Sequence, residues 1–258
     1  MVYQYDLKLK KDVKQSRMNT MRYWLLIVIL LSPLGSATSY ATIKIGTPAF
    51  NPPFEISDTE GFDMDLMRII CRRINEDCKF YPMEKPMLYN ALNQRQVDVA
   101  IGGFTISETR SIKYIFSLPY IVSNGTFIVL KNQLFTSIKD LAGKKIGVVE
   151  GSDYEQFLTE QFGSQYQVVS YQGPIHLMDA LEKGEISAVF LDSFARDYWV
   201  SYSSGEFTSL GDTVPVGSGM AIMALPEQAL LLNRINEQIK LMESDGTYIN
   251  LYNNYFSN

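Results

Sequence analysis

The sequence predicts an α/β protein built from two units of similar size in succession, and three features predict it. Strand-like and helix-like segments alternate from Thr42 almost to the tail. Two nearly unbroken apolar runs, VDVAI ending at Ile101 and AVFLD ending at Asp192, suit strands covered on both faces of a parallel sheet. The 258 residues, 46% hydrophobic and 20% charged, have ordinary globular composition with room for one large or two small domains.

In order, IKIG after Thr42 reads as a short strand, and PAFNPPFEI as a loop too rich in proline for a central strand. Phe62, Leu66, Ile69, Ile70 and Ile74 recur at helical spacing, with Asp63 and Asp65 in the first turn and Arg72 and Arg73 in the last, complementing the helix dipole. The strand KFYPM, a helix from Met87 to Gln94 and the strand VDVAIGG complete a βαβαβ run, which predicts a parallel sheet. A strand TFIVL follows. The second series is DLAGKKIGVVEGSDYEQFL (turn, strand, Gly-Ser loop, helix), VVSY (strand), HLMDALEKG (helix), AVFLD (strand) and SFARDYWVSY (helix). Glu227 to Glu243 reads as a helix, and a short amphipathic piece follows Thr247. There is no fixed-period repeat and no low-complexity linker.

The first 41 residues are read apart from the fold. Met21 and Arg22 precede an apolar run from Tyr23 to Leu31, then Pro33, Gly35 and small residues ending at Ala41, the pattern of a cleaved export signal. About a dozen apolar residues fall short of the ~20 that span a bilayer. Met18 or Met21 is an alternative start. Residues 1–41 hold six of 23 basic and two of 28 acidic side chains, which leaves 17 against 26 and a net charge of −9. That balance argues against nucleic acid or an anionic membrane as partner. Cys71 and Cys78 would lie about 10 Å apart on one unbroken helix, too far to bond, so a disulfide requires the helix to stop near Ile74 or Asn75. Two buried thiols are the other reading; a metal site lacks further soft ligands.

The stretch IGGFTISETR, Ile101 to Arg110, is the strongest candidate for a binding site. Gly102 and Gly103 let backbone approach a ligand, Thr105 and Ser107 add hydroxyls, and Arg110 brings a planar fork of donors suited to a carboxylate. The competing reading is an ordinary strand-to-helix turn with Ser107 as cap and Arg110 as a solvated charge. Chemistry is poorly supported elsewhere. The single histidine, His176, accompanies no GxSxG or HExxH, and no cofactor or metal pattern is present.

GFDMDLMRIIC resembles the signature of periplasmic solute-binding proteins of family 3, the polar amino-acid receptors of ABC importers. The likeness continues through PPFEI, VAIGGFTISETR, DLAGKKIGVVEGS, AVFLD and SDGTY, in order over nearly all of residues 42–258. It is nearest to the lysine/arginine/ornithine, histidine and arginine-binding groups. The resemblance implies a two-lobed periplasmic-binding-protein fold of type II, a venus-flytrap with two hinge crossings. Lobe I would hold residues 42–124 plus 216–258, and lobe II residues 125–215. It further implies a monomer in the periplasm that binds a free L-amino acid between closing lobes and docks on a membrane permease, and a Cys71–Cys78 disulfide. Carried over by residue, Arg110 would bind the α-carboxylate with the Thr105 amide and the Gly103 backbone. Asp192 would accept the α-ammonium, and Ser152 would bring second-lobe donors to the carboxylate.

The side-chain pocket departs from the family pattern. Relatives often place an aromatic before the proline pair and an acid three residues earlier; here these are Asn51 and Pro48. Phe50 is the alternative aromatic, or packing. The second stacking aromatic is replaced by Lys85 beside Glu84, either a specificity charge or a solvated one. Tyr154 stands where relatives carry a polar side chain and is a candidate stack. A basic amino acid, arginine first, is expected on overall likeness. Glutamine or another polar or acidic amino acid, and a sensing module for a signalling receptor, are the alternatives.

Overall fold

The computed structural model describes residues 42–256; the expected export signal, residues 1–41, lies outside the described residues. Ten strands form two five-stranded sheets. The first contains β1 (Ile43–Pro48), β2 (Cys78–Met83), β3 (Val99–Ala100), β4 (Ile115–Phe116) and β10 (Met223–Ala224), in the order β2-β1-β3-β10-β4. The second contains β5 (Asn124–Leu130), β6 (Lys145–Val149), β7 (Gln167–Tyr171), β8 (Ala188–Asp192) and β9 (Phe207–Pro215), in the order β7-β6-β8-β5-β9. The helices are α1 (Phe62–Arg73), α2 (Lys85–Asn93), α3 (Glu108–Ser111), α4 (Asp153–Phe162), α5 (Pro174–Glu182), α6 (Ser193–Tyr202), α7 (Ala229–Ser244) and α8 (Thr247–Phe256).

The parallel pairings expected from the βαβ pattern are present: β1 with β2 and β3, and β6 with β7 and β8. The sheets are nonetheless mixed. β10 runs antiparallel to β3 and β4, and β5 antiparallel to β8 and β9. The strand expected to run on through Gly103 stops at Ala100, because Gly102 and Gly103 adopt φ +145° and +64° and turn the chain. Gly102 owes its lack of a side chain to packing: a Cβ there would lie 2.1 Å from Pro48 Cδ.

Helix α1 buries Phe62, Leu66, Met67 and Ile70 against the first sheet's core. It ends at Arg73, and Asn75 takes a left-handed φ of 54°, sending the chain back into β2. That reversal brings the Cα atoms of Cys71 and Cys78 to 6.2 Å, and the two are bonded as a disulfide. Two chain segments cross between the lobes and are bonded to one another. Tyr120 N donates to Met220 O at 2.9 Å, Met220 N to Ile121 O at 2.8 Å and Val216 N to Ser123 O at 2.9 Å. Gly217, at φ +64°, lies so close to the Ile101–Arg110 stretch that a Cβ would meet Thr105 Cγ2 at 2.3 Å. The hinge strands and the candidate binding turn are therefore one packed unit.

Candidate functional site

The first-lobe side of the site is built on the turn after β3. Ser107 caps the short α3, its hydroxyl accepting from Arg110 N, so the capping reading holds. The solvated reading of Arg110 does not hold. Its guanidinium is only 11% exposed, lies 5.7 Å over the Tyr89 ring and forms an ion pair with Asp153 of the second lobe. Lys85 is also buried rather than pointing to solvent. Its ammonium donates to the carbonyls of Gly102 at 3.0 Å and Gly103 at 3.3 Å and sits 5.1 Å over the Phe104 ring. Burial, then the neighbouring Arg110, pull the Lys85 pKa down to about 8. Below it lie two fully buried acids. Glu55 accepts from Asn51 Nδ2 at 3.2 Å, and Asp63 accepts from the Tyr120 hydroxyl at 3.0 Å. Burial raises both: Asp63 to about 7, and Glu55 well above the usual carboxylate range with Asp63 adding repulsion. Asp63, in the first turn of α1 as expected, is thus also a core acid.

The second-lobe side is built where β8 and the loop after β6 feed helices. Asp192 is 5% exposed and caps α6: one oxygen accepts from Phe194 N at 2.7 Å and Ala195 N at 3.2 Å. The other oxygen accepts from the Tyr154 hydroxyl at 2.7 Å. Burial raises its pKa to about 6, with the Tyr154 bond opposing, so it is ionised at neutral pH. Tyr154 therefore holds Asp192 in place through its hydroxyl, while its side chain lines the inner cavity. From Tyr154 a chain of hydroxyls continues through Ser123, at 3.1 Å, to Thr105, at 2.9 Å. A hydroxyl has one proton, and that of Tyr154 goes to the carboxylate. Ser123 must then donate to Tyr154 and Thr105 to Ser123, which leaves the Thr105 oxygen with acceptor capacity only. Ser152 caps α4, accepting from Glu155 N at 3.1 Å.

Two adjoining cavities lie between the lobes. The inner one, about 40 Å³, is lined by Gly103 and Asn51 of the first lobe and by Ser152, Tyr154, Asp192 and Trp199 of the second. The outer one, about 310 Å³, is lined among others by Phe50, Met83, Glu84, Gln172 and His176. Lys85, Asn51, Val149 and Pro174 border both. Of the residues singled out from sequence, seven border these cavities; Arg110 and Thr105 border neither and sit behind them. The lobes also touch through Tyr89 Oη to Gly151 O, 3.3 Å, and Gln156 Nε2 to Thr109 Oγ1, 3.1 Å. Phe50 meets Trp199 edge-on at 6.3 Å. Sequence reasoning missed Asp153 and Trp199. Asp153 had one usable signal: an acid directly after the Gly-Ser turn stands where an anion would otherwise meet the helix N-terminus.

The family model of the bacterial extracellular solute-binding proteins, family 3, matches residues 43–258. A putative ABC transporter arginine-binding protein 2 of Escherichia coli (strain K12) is 29% identical over 229 residues, 86% of this chain and 93% of that protein. Among solved structures, an arginine 3rd transport system periplasmic binding protein from Legionella pneumophila superposes with a TM-score of 0.79 at 37% identity. That match covers 83% of this chain and 99% of the other. An ancestral arginine-binding protein, solved bound to arginine and to glutamine, gives TM-scores of 0.77 and 0.76 at 30% identity. It covers 84% of this chain and 98% of its own length.

Proposed function

The chain belongs to the bacterial extracellular solute-binding proteins, family 3, and on that footing we propose that it is a periplasmic receptor. It takes a free polar L-amino acid, arginine or another basic one, between its lobes and hands it to the permease of an ABC importer. The observation that carries the reading is a buried Asp192 lining an inner cavity too small for a whole amino acid, beside a larger chamber lined by both lobes. The α-ammonium sits inside against Asp192; the α-carboxylate lies against the Gly103 backbone and the Ser152 turn, and it reaches Arg110 and Thr105, which sit behind the cavities, once the lobes part. The side chain extends into the outer chamber between Phe50 and Glu84. Each lobe supplies one charge to the zwitterion, and that is how ligand contact stabilises closure.

The charged side chains bordering the two cavities are Asp192 and Glu84 against Lys85, two carboxylates to one ammonium. With Asp192 taken up by the α-ammonium, Glu84, which borders only the outer chamber, is the counter-charge left for a cationic side chain. Glutamine is the second candidate, since the ancestral arginine-binding protein has been solved with it. Thermal denaturation against the twenty amino acids, ornithine and citrulline tests the reading. A ligand at a hundredfold excess over its Kd adds about 2.7 kcal/mol to the folded state. One or a few L-amino acids should raise the melting temperature, and Arg110→Ala should remove the shift. Failure of every amino acid to stabilise the wild type would reject the reading.

A further inference from the structure

One charged end of the proposed ligand site is already paired by the chain, and the other shares its cavity with a charge of opposite sign. Arg110 of the first lobe, the proposed carboxylate clamp, is paired with Asp153, the first residue of α4 in the second lobe, and their side chains are 11% and 3% exposed. The Lys85 ammonium donates to the carbonyls of Gly102 and Gly103, both in its own lobe. Lys85 borders the inner cavity together with Asp192, each from its own lobe. A carboxylate and an ammonium of the protein thus stand beside the groups that would receive a carboxylate and an ammonium of the ligand.

We propose that Asp153 and Lys85 are resident substitutes for the two charges of the ligand, that the Arg110–Asp153 pair holds the lobes together in its absence, and that a ligand binds by displacing the two resident charges. The proposal rests on the amino-acid reading above and adds to it which residues set the affinity and the specificity. Burying an isolated guanidinium or carboxylate is costly, so a cleft lined by unpaired charges stays open until a ligand neutralises them. Here the Arg110–Asp153 pair neutralises both of its members without ligand. A ligand shifts the open-to-closed balance only by its differential affinity, so any closure already gained is subtracted from what the ligand can gain. Discrimination follows from the same exchange. A zwitterion supplies a charge for each one it displaces, whereas a molecule with one charge brings a neutral group to the other end and leaves the residue there buried without a counter-charge. Tyr89 to Gly151 and Gln156 to Thr109, which also join the lobes, are neutral and are not part of the exchange.

Small-angle X-ray scattering with and without L-arginine, together with calorimetric titration of L-arginine and L-glutamine, tests the proposal on the wild type, Asp153→Ala and Lys85→Met. Asp153→Asn, nearly isosteric, serves as the second variant should the alanine protein fold poorly. The unliganded wild type should have the radius of gyration of its arginine-bound form. Unliganded Asp153→Ala should be larger and contract on adding amino acid, with a Kd at least about tenfold tighter than wild type. Lys85→Met should tighten binding in the same direction. Unliganded wild type and Asp153 variants that scatter alike, or an Asp153 variant that binds more weakly than wild type, would overturn the proposal. If no amino acid binds any of these proteins the receptor reading fails, while the comparison of unliganded scattering still decides whether Asp153 holds the lobes.

Discussion

Asp192→Asn separates two roles that the structure gives to one side chain, a helix cap and a counter-charge. The amide oxygen of asparagine can still accept from Phe194 N and Ala195 N, whose bonds to Asp192 are 2.7 and 3.2 Å, and its amide nitrogen can donate to the Tyr154 oxygen. The cap, worth about 1 kcal/mol, is therefore kept. Burial that moves the Asp192 pKa from 3.8 to about 6 disfavours the ionised form by about 3 kcal/mol in the folded protein. The unliganded variant should consequently be no less stable than wild type at pH 7.5. Binding behaves differently. Removing one member of a buried, hydrogen-bonded charge pair costs about 2–5 kcal/mol, roughly 30- to several-thousandfold in Kd. Urea denaturation and calorimetric titration with L-arginine measure the two quantities. Binding within twofold of wild type would refute Asp192 as the ammonium acceptor. A loss of several kcal/mol in unliganded stability would show that the carboxylate serves the fold rather than the ligand.

Two further outcomes follow from the buried acids and the crosslink. Asp63 and Glu55 have folded pKa values raised above their unfolded ones, so the folded state retains their protons. Their contribution is full below about pH 4 and is lost as pH rises through the folded values, about 7 for Asp63, at about 1.4 kcal/mol per pH unit for each retained proton. Denaturant melts should therefore show Glu55→Gln more stable than wild type at pH 8, with the advantage fading by pH 4; an advantage that grows on acidification would contradict this. Replacing Cys71 and Cys78 together by alanine opens a short loop and should cost about 2–3 kcal/mol, about 5–10 °C in melting temperature, with ligand preference unchanged. Altered ligand order would mean that the crosslink positions the cleft.

Much of the fold was legible because burial writes itself into periodicity. The apolar rows of α1 and the runs VDVAI and AVFLD located both sheets, and the spacing of Cys71 and Cys78 located the end of α1. β9 was not legible: FTSLGDTVP carries a glycine and an aspartate, and its strand conformation comes from antiparallel pairing with β5, whose partner residues lie 77 to 91 positions away in sequence. β4 and β10, two residues each, carry no pattern at all and exist through each other and β3. In the site, motif positions located the turn, Asp192 and Ser152. What could not be read was which charges meet. Arg110 was read as a clamp awaiting a carboxylate, and the carboxylate it finds is Asp153. Lys85 was read as either solvated or specificity-setting, and its burial against the Gly102 and Gly103 carbonyls depends on a turn geometry visible only in three dimensions.

The most direct test of the central claim, that the cleft recognises a free amino acid through both of its α-charges at once, is a calorimetric comparison on the wild-type protein. L-arginine would be titrated beside its decarboxylated amine and its Nα-acetyl derivative, which delete one α-charge each and keep the guanidinium. L-arginine should bind, and each derivative should lose at least a hundredfold, about 2.7 kcal/mol. Equal binding of either derivative would contradict the claim.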